Sequence, residues 1–267
     1  MDGRTMAAGL YRLGKNYYAI HNYEEAKNYL IRAVICGSSA AAHQLLMLGR
    51  HFLKMGGQEN FRCAEDCFQA LADRGSGEGC LWLGRMARDG LGRARDIQEA
   101  FQDFSEAYRL GNLQAAYEAG CLMLPDAAVS PEVREIAKEW FQAAADDGVA
   151  KAYTQMGLLL CDNLPAHHKE ALSWFIKGIQ AGDPDAMIGA ADIYISGIGV
   201  MKNVSLALSL LRKAAGDGSS KANRILGRFY EEGQFVEQDR TLAQAYRQRA
   251  ERCAQKEQDS LTYREEL

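Results

Sequence analysis

The sequence predicts an all-α fold, a right-handed α-α superhelical solenoid of about seven helix-turn-helix repeats. Three observations predict it: an alanine recurs about every 36 residues, a small residue precedes each alanine, and an Asn or Asp usually stands four positions before it. The recurring alanines are Ala26, Ala64, Ala100, Ala137, Ala171, Ala207 and Ala243. Such a period is typical of stacked helical hairpins, because one hairpin cannot bury its apolar face alone.

The second helix of each repeat, helix B, is built around the recurring alanine. Large residues mostly follow it three and four positions later, as in Trp140 and Phe141, and this spacing marks one face of a helix. The residue four positions before the alanine is a candidate N-cap. These candidates are Asn22, Asn60, Asp96, Val133, His167, Asn203 and Asp239. In the Val133 copy, Ser130 followed by Pro131 moves the predicted cap upstream.

The first helix of each repeat, helix A, is marked by a recurring small residue. These residues are Gly14, Gly49, Gly84, Gly120, Gly157, Ala191 and Gly227. Glycine inside a helix costs roughly 1 kcal/mol against alanine, so its repeated use predicts that the two helices cross closely there. The predicted repeats, which form a single solenoid, are 5–37, 38–75, 76–111, 112–148, 149–182, 183–218 and 219–253, with a polar C-terminal tail at 254–267.

These residues resemble the Sel1-like repeat family, a branch of the tetratricopeptide-like superfamily. Repeat six, DAMIGAADIYISGIGVMKNVSLALSLLRKAAGDG, carries the pattern clearly, and the short step from Gly14 to Ala26 looks like an ordinary tetratricopeptide repeat. The resemblance covers about residues 5 to 253. It implies the fold and a bacterial protein. Because the family's signature residues are packing residues, it leaves the role open among adaptor, regulator, secreted effector and receptor.

Composition and charge narrow the possible functions. The chain has 267 residues and a formal net charge of −4, so no overall field gathers nucleic acid or anionic lipid. No stretch has the apolar length of a membrane span or a signal peptide. The seven cysteines are an odd number at irregular places, which favours buried thiols in a reducing compartment. We expect a cytoplasmic protein without membrane insertion, with signal-independent export left open.

The candidate catalytic and ligand-binding residues favour a protein that is not an enzyme. Gly90 and Gly92 belong to a turn without the preceding strand that a phosphate-binding loop needs. Cys63 and Cys67 are one helical turn apart and could supply two metal ligands. No histidine or second cysteine pair stands at matching repeat positions, so core packing is favoured. No nucleophile has a local activating group, and we expect no catalytic, cofactor or metal site.

The candidate site lies on helix A. In tetratricopeptide-like solenoids the residue after the small residue faces the concave groove, and here that position carries a basic ladder at about 35-residue steps. The candidate groove residues are Tyr11, Lys15, Tyr18, Arg50, Arg85, Arg88 and Tyr117. Arginine and tyrosine are common binding anchors, so the hypothesis is a groove for an acidic or C-terminal carboxylate segment of a partner. The alternative is a charged face that only keeps the solenoid in solution.

The leading function is a protein-binding scaffold or adaptor that holds a partner protein or peptide in its concave groove. A sharper form is an immunity-type or chaperone-type binder of one partner. One alternative is a secreted effector without a signal peptide that acts on host proteins. A second alternative, an RNA-binding helical repeat, is disfavoured because Cys121, Leu158 and Asp192 break the basic row, and no nucleic-acid partner is expected.

Overall fold

The computed structural model describes residues 3–127, 130–161 and 165–264, and all regular structure in these ranges is helical. The helices are α1 Gly3–Ala19, α2 Tyr23–Ile35, α3 Ser39–Met55, α4 Gln58–Ala72, α5 Gly77–Asp89, α6 Ile97–Arg109, α7 Leu113–Ala127, α8 Pro131–Asp146, α9 Ala150–Leu160, α10 Pro165–Gln180, α11 Pro184–Ser196, α12 Val204–Gly216, α13 Ser220–Glu232 and α14 Arg240–Arg264. The predicted fold class, an all-α repeat solenoid, is confirmed. None of these helices is both long enough and apolar enough to cross a membrane.

The helices divide into two units. Unit 1 covers the described residues up to 122 together with 262–264, and unit 2 covers the described residues of 123–261. In unit 1, α1 packs on α2, α3 on α4 and α5 on α6, and each hairpin packs on the next. In unit 2, α9 packs on α10 and α11 on α12 in the same way. The helix-turn-helix repeat is therefore present in both units, while one uninterrupted solenoid stays a prediction.

The helix crossings lie where the recurring glycines predict them. A Cβ atom added to Gly49 would lie 2.6 Å from the ring of Phe68, and one added to Gly84 would lie 2.7 Å from the ring of Phe104. Real Cβ atoms do not come so close, so only glycine allows helix B to approach helix A at this distance. Phe68 and Phe104 are fully buried, and so are Phe141 and Phe175. These helix-B side chains form the core of the repeats.

Most of the predicted helix caps are confirmed. The side chains of Asn22, Asp96 and Asn203 accept hydrogen bonds from backbone N–H groups three residues later, at 3.2, 2.9 and 3.0 Å. Asp239 does the same for Leu242 at 2.9 Å. Ser130 caps α8 upstream of Val133, as its position before Pro131 predicts. These bonds satisfy N–H groups that the first helical turn leaves without a partner.

Two predicted caps are wrong. The cap of α4 is Gly57, because Gly56 and Gly57 both adopt positive φ angles, 66° and 89°, and turn the chain before Asn60 is reached. Asn60 instead donates from Nδ2 to the carbonyl of Gly56 at 2.7 Å. His167 lies inside α10, which begins at Pro165, a residue whose fixed φ favours the first helical position.

The last helix extends beyond the predicted end of the seventh repeat at residue 253. α14 continues to Arg264, so residues 254–264 of the predicted polar tail are the end of a helix. This stretch is rich in Gln, Lys, Glu and Arg, which are good helix formers even without an apolar face.

Candidate functional site

The basic ladder of unit 1 is organised around a tryptophan. Trp82 lies on α5, two residues before Gly84, and its indole ring stacks on Phe68 with the ring centroids 5.6 Å apart. The guanidinium groups of Arg50, from α3, and Arg85, from α5, lie 5.5 and 4.9 Å from the indole centroid. Cations at this distance are attracted by the negative face of the ring. Trp82 therefore joins two predicted site residues that belong to neighbouring repeats.

The ladder also contains a carboxylate. Glu118 lies on α7 and is only 8% exposed. Arg85 donates to its Oε1 atom from Nη2 at 2.7 Å and from Nε at 3.2 Å, and Arg88 donates to Oε2 from Nη1 at 2.7 Å. Charge-assisted bonds of this length are about twice as strong as neutral ones. We call Arg50, Trp82, Arg85, Arg88 and Glu118 the arginine cluster.

All three side-chain nitrogens of Arg88 donate hydrogen bonds within the chain. Its Nε and Nη2 atoms donate to the two carboxylate oxygens of Asp89 at 2.7 and 2.8 Å, while Nη1 donates to Glu118. The hydrogen bond to Asp89, and after it the negative charges of Asp89 and Glu118, raise the pKa of Arg88 further above its usual value. With Asp89 included, the cluster contains three arginines and two carboxylates.

A second group of aromatic residues lies on α1, α2 and α3. The ring of Tyr23 is 5.3 Å from Tyr18 and 4.5 Å from His51, measured between centroids, and its hydroxyl lies 2.8 Å from Nδ1 of His21. Burial, and after it Tyr23, raises the pKa of Tyr18. Burial, and after it Lys54 and His21, lowers the pKa of His51. We call Tyr18, Tyr23, His21 and His51 the tyrosine–histidine cluster.

The remaining candidate residues lie outside the arginine cluster. The Lys15 ammonium is 5.7 Å from the centroid of the Tyr11 ring, one turn earlier on α1. Tyr117 is half-buried on α7 beside Glu118 in the sequence. The structure thus brings together Arg50, Arg85 and Arg88, and it adds Trp82 and Glu118, which the sequence reading did not select.

The two cysteines considered as metal ligands lie in different surroundings. Cys67 is fully buried in the core of unit 1, and this burial raises the pKa of its thiol. The Cys63 thiol accepts a bond from the Lys27 ammonium at 3.6 Å, and Lys27 also donates to Asp66 at 2.6 Å. In the part of the chain that the structure describes, no three His, Cys, Asp or Glu side chains are grouped to hold a metal ion.

Stacked helix hairpins with a charged, aromatic helix-A face define a helical-repeat protein-interaction scaffold. The sequence model of the Sel1 repeat family matches residues 7–38, 77–112, 113–149, 150–183, 184–219 and 220–253. The chain therefore belongs to the Sel1 repeat family, as its residues predict. Residues 39–76 lie outside these matches, although α3 and α4 form a hairpin there. The turn at Gly56 and Gly57 is shorter than the connections at 90–96, 197–203 and 233–239.

The chain is similar to parts of longer proteins. It is 38% identical over 111 residues to an uncharacterized protein of Neisseria meningitidis, a match that covers 41% of this chain and 23% of that protein. It is 27% identical over 181 residues to DAP3-binding cell death enhancer 1 of Rattus norvegicus, covering 67% of this chain and 35% of the other. The chain thus spans about a quarter to a third of the length of these relatives.

Several solved structures share the fold. A Sel1 repeat protein from Oxalobacter formigenes has a TM-score of 0.69 at 21% identity, covering 90% of this chain and 96% of that one. The protective antigen c5321 of uropathogenic Escherichia coli has a TM-score of 0.61 at 20% identity, covering 97% and 68%. The immunity protein Pa5087 of Pseudomonas aeruginosa has a TM-score of 0.53 at 19% identity, covering 71% and 73%. At these identities the likeness shows the fold alone.

Proposed function

We propose that this chain is a scaffold whose unit 1 binds an acidic segment of a partner protein, either a run of carboxylates or a C-terminal carboxylate, at the arginine cluster. One observation carries the proposal: Arg85 and Arg88 already hold one carboxylate, that of Glu118, on the surface where Arg50 contacts Trp82. The planar guanidinium group matches a carboxylate with two parallel N–H donors, so this surface has the chemistry for a second one.

The anchors of this site are Arg50 and Trp82. Glu118 fixes the direction of Arg85, and a partner carboxylate would bind between Arg50 and the outer N–H groups of Arg85. An apolar neighbour of that carboxylate would pack on the indole of Trp82. Tryptophan and arginine carry a large share of the binding energy at protein interfaces, because each combines apolar area with directed polar groups. Arg88 contributes less, because all three of its nitrogens donate within the chain.

As part of the proposal, the scaffold acts in a bacterial cytoplasm and sequesters one partner, as an immunity protein or a chaperone does. The fold likeness to the immunity protein Pa5087 supports this role, and the odd number of cysteines at irregular places favours a reducing compartment.

The test is affinity capture from the source cell followed by mass spectrometry. The bait is compared with an Arg50→Gln variant and with an Arg62→Gln control, since Arg62 is an exposed arginine on α4. We expect one protein that the bait and the control retain and that Arg50→Gln loses. Titration of that purified protein should then give at least about a tenfold weaker Kd for Arg50→Gln. A partner that all three retain equally would contradict the site.

Arg85→Glu is not a suitable test variant. It would place a second carboxylate beside Glu118, which is nearly buried, and the repulsion would lower the stability of unit 1. A loss of binding would then follow from unfolding as well as from a lost contact.

A further inference from the structure

Unit 2 has an open cavity of about 310 Å³ on its helix-A face. Residues of α9, α11 and α13 line the cavity, together with Phe175 of α10 and Leu211 of α12. Among its apolar lining residues, Leu158 is 47% exposed, while Ile195 and Ile225 are half-buried. Ligand cavities in proteins measure roughly 300–1,000 Å³, so this one is suited to one or two large side chains rather than to a folded element.

The cavity occupies the position that the arginine cluster fills in unit 1. Equivalent residues of the two units are found by aligning the repeats on the small residue of helix A and the alanine of helix B. The unit 2 counterparts of Arg50, Phe68, Trp82 and Arg85 are, in the same order, Leu158, Phe175, Gly189 and Asp192. All four counterparts line the cavity. The tryptophan of unit 1 is thus replaced by a residue without a side chain.

Unit 2 cannot supply an aromatic residue of its own at this position. A Cβ atom added to Gly189 would lie 2.5 Å from the ring of Phe175, and one added to Gly157 would lie 2.6 Å from the same ring. Phe175 is fully buried between these two glycines. A larger side chain at position 189 would therefore displace a core ring, so this part of the unit 2 face stays open to a side chain of another molecule.

The charge beside the cavity indicates what accompanies that aromatic group. Asp192 is exposed, and it makes no hydrogen bond or ion pair within the described residues. Its counterpart in unit 1, Arg85, has the opposite charge and pairs with Glu118. Asp185, the other carboxylate of the lining, has a cation of its own, Lys221, at 3.6 Å. The second cation of the lining, Arg228 on α13, is exposed. Asp192 is the carboxylate of the lining without a cation of its own among the described residues, so it is the group that can pair with a cation of the ligand.

We propose that this cavity binds a partner peptide through an aromatic side chain followed by a basic residue, the aromatic group entering beside Leu158 and over Gly189 and the basic residue pairing with Asp192. The proposal rests on the scaffold function proposed above and adds a second site with its own specificity. The two units would then take opposite ligands, an acidic segment in unit 1 and an aromatic-basic segment in unit 2.

The test uses three capped peptides, GSGWKGSG, GSGAKGSG and GSGWEGSG, titrated into the ¹⁵N-labelled full chain. We expect the tryptophan-lysine peptide to shift the amide signals of Gly189 and Asp192 in a saturable way. The alanine and glutamate peptides should bind at least about tenfold more weakly, because each lacks one anchor. Equal binding of the three peptides, or shifts confined to the arginine cluster, would overturn the proposal.

Asp192→Lys tests the charge directly, with Glu170→Lys as the matched control because Glu170 is an exposed acid on α10. Asp192→Lys should reverse the preference so that the tryptophan-glutamate peptide binds better, and the control should change nothing. An unchanged preference would overturn the role of Asp192. The Arg50→Gln variant should bind the tryptophan-lysine peptide like the wild type. A failure of the acidic-segment proposal at unit 1 is thereby distinguished from a failure of this one.

Discussion

Unit 1 and unit 2 share one repeat geometry but complete the helix-A face differently. Two residues before the helix-A glycine, unit 1 has Trp82 and Glu118, and both contact arginines of the preceding repeat. At the equivalent positions unit 2 has Gly189 and Ile225, and a cavity remains. The repeat therefore determines where the helices cross, and the residue beside the crossing determines whether the face is closed by the chain itself.

The largest expected effect tests the core beneath this face. Phe68→Ala should lower the free energy of unfolding by about 3–5 kcal/mol, because the ring is fully buried against Gly49 and also supports Trp82. Denaturant unfolding followed by circular dichroism measures the loss. Phe175→Ala should cost a similar amount but leave an acidic partner bound at unit 1. A loss below about 1 kcal/mol from Phe68→Ala would contradict the packing described for unit 1.

The second prediction compares the carboxylates of the two faces. Glu118→Ala should destabilise the protein by about 2 kcal/mol. The guanidinium groups of Arg85 and Arg88 both pair with the nearly buried Glu118 carboxylate, and both would lose it. Asp192→Ala should change stability by less than about 0.5 kcal/mol, because that carboxylate is exposed. Equal effects in the two units would show that unit 1 is not closed by this pair.

A double-mutant cycle sharpens the second prediction. Arg85→Ala and Glu118→Ala together should cost less than the sum of the two single changes, since each removes the same interaction. Strict additivity would assign the cost of Glu118→Ala to lost packing instead of to the ion pair.

The sequence predicts what depends on contacts within one repeat. A small residue on helix A and a large apolar residue on helix B recur along the chain, as in Gly49 with Phe68 and Gly84 with Phe104, so the fold follows from periodicity. Asn60 was predicted wrongly because two consecutive glycines move the helix start, a local feature that a periodic rule averages away. The pairing of Arg85 with Glu118 joins different repeats, and counting only the position after the glycine does not detect it.

A signal for this pairing exists in the sequence. The position two residues before the recurring small residue of helix A carries an aromatic residue at 82, a carboxylate at 118 and a glycine at 189. Comparing that row with the basic row would place Glu118 beside Arg85 and would mark Gly189 as a gap. The geometry of the contacts still requires the structure, because two rows on adjacent helices can pair in more than one way.

The third prediction concerns two carboxylates away from the faces. Asp183 of unit 2 is buried but accepts bonds from Thr154 at 2.5 Å and from the N–H of Asp185 at 3.1 Å. Asp103 of unit 1 has a buried Oδ2 atom without a hydrogen-bond partner among the described residues. Burial, and after it the negative charge of Glu99, raises the pKa of Asp103 to about 6.

Because Asp103 holds its proton more tightly in the folded chain, stability should fall as the pH rises from about 4 to 6 and stay lowered above that range. Asp103→Asn should therefore raise the free energy of unfolding by about 1 kcal/mol at pH 7.5 and have no effect at pH 4. Urea titrations at the two pH values measure the difference. Asp183→Ala, by contrast, should destabilise by about 1 kcal/mol through the lost cap. A benefit from Asp103→Asn at both pH values would point to packing instead of charge.

The smallest expected effect concerns the tyrosine–histidine cluster. There, too, side chains of unit 1 itself cover the helix-A face. Burial, together with Lys54 and His21, lowers the pKa of His51 below 6.5, so the folded chain binds this proton less tightly than the unfolded chain and loses a little stability as the pH falls through 6.5. Ring-proton NMR shifts should show His51 titrating below 6.5, and Lys54→Gln should move its pKa upward by removing one positive neighbour. If His51 titrated at or above 6.5, its ring would be solvated, and unit 1 would be open at α1–α3 as unit 2 is open at α9–α13.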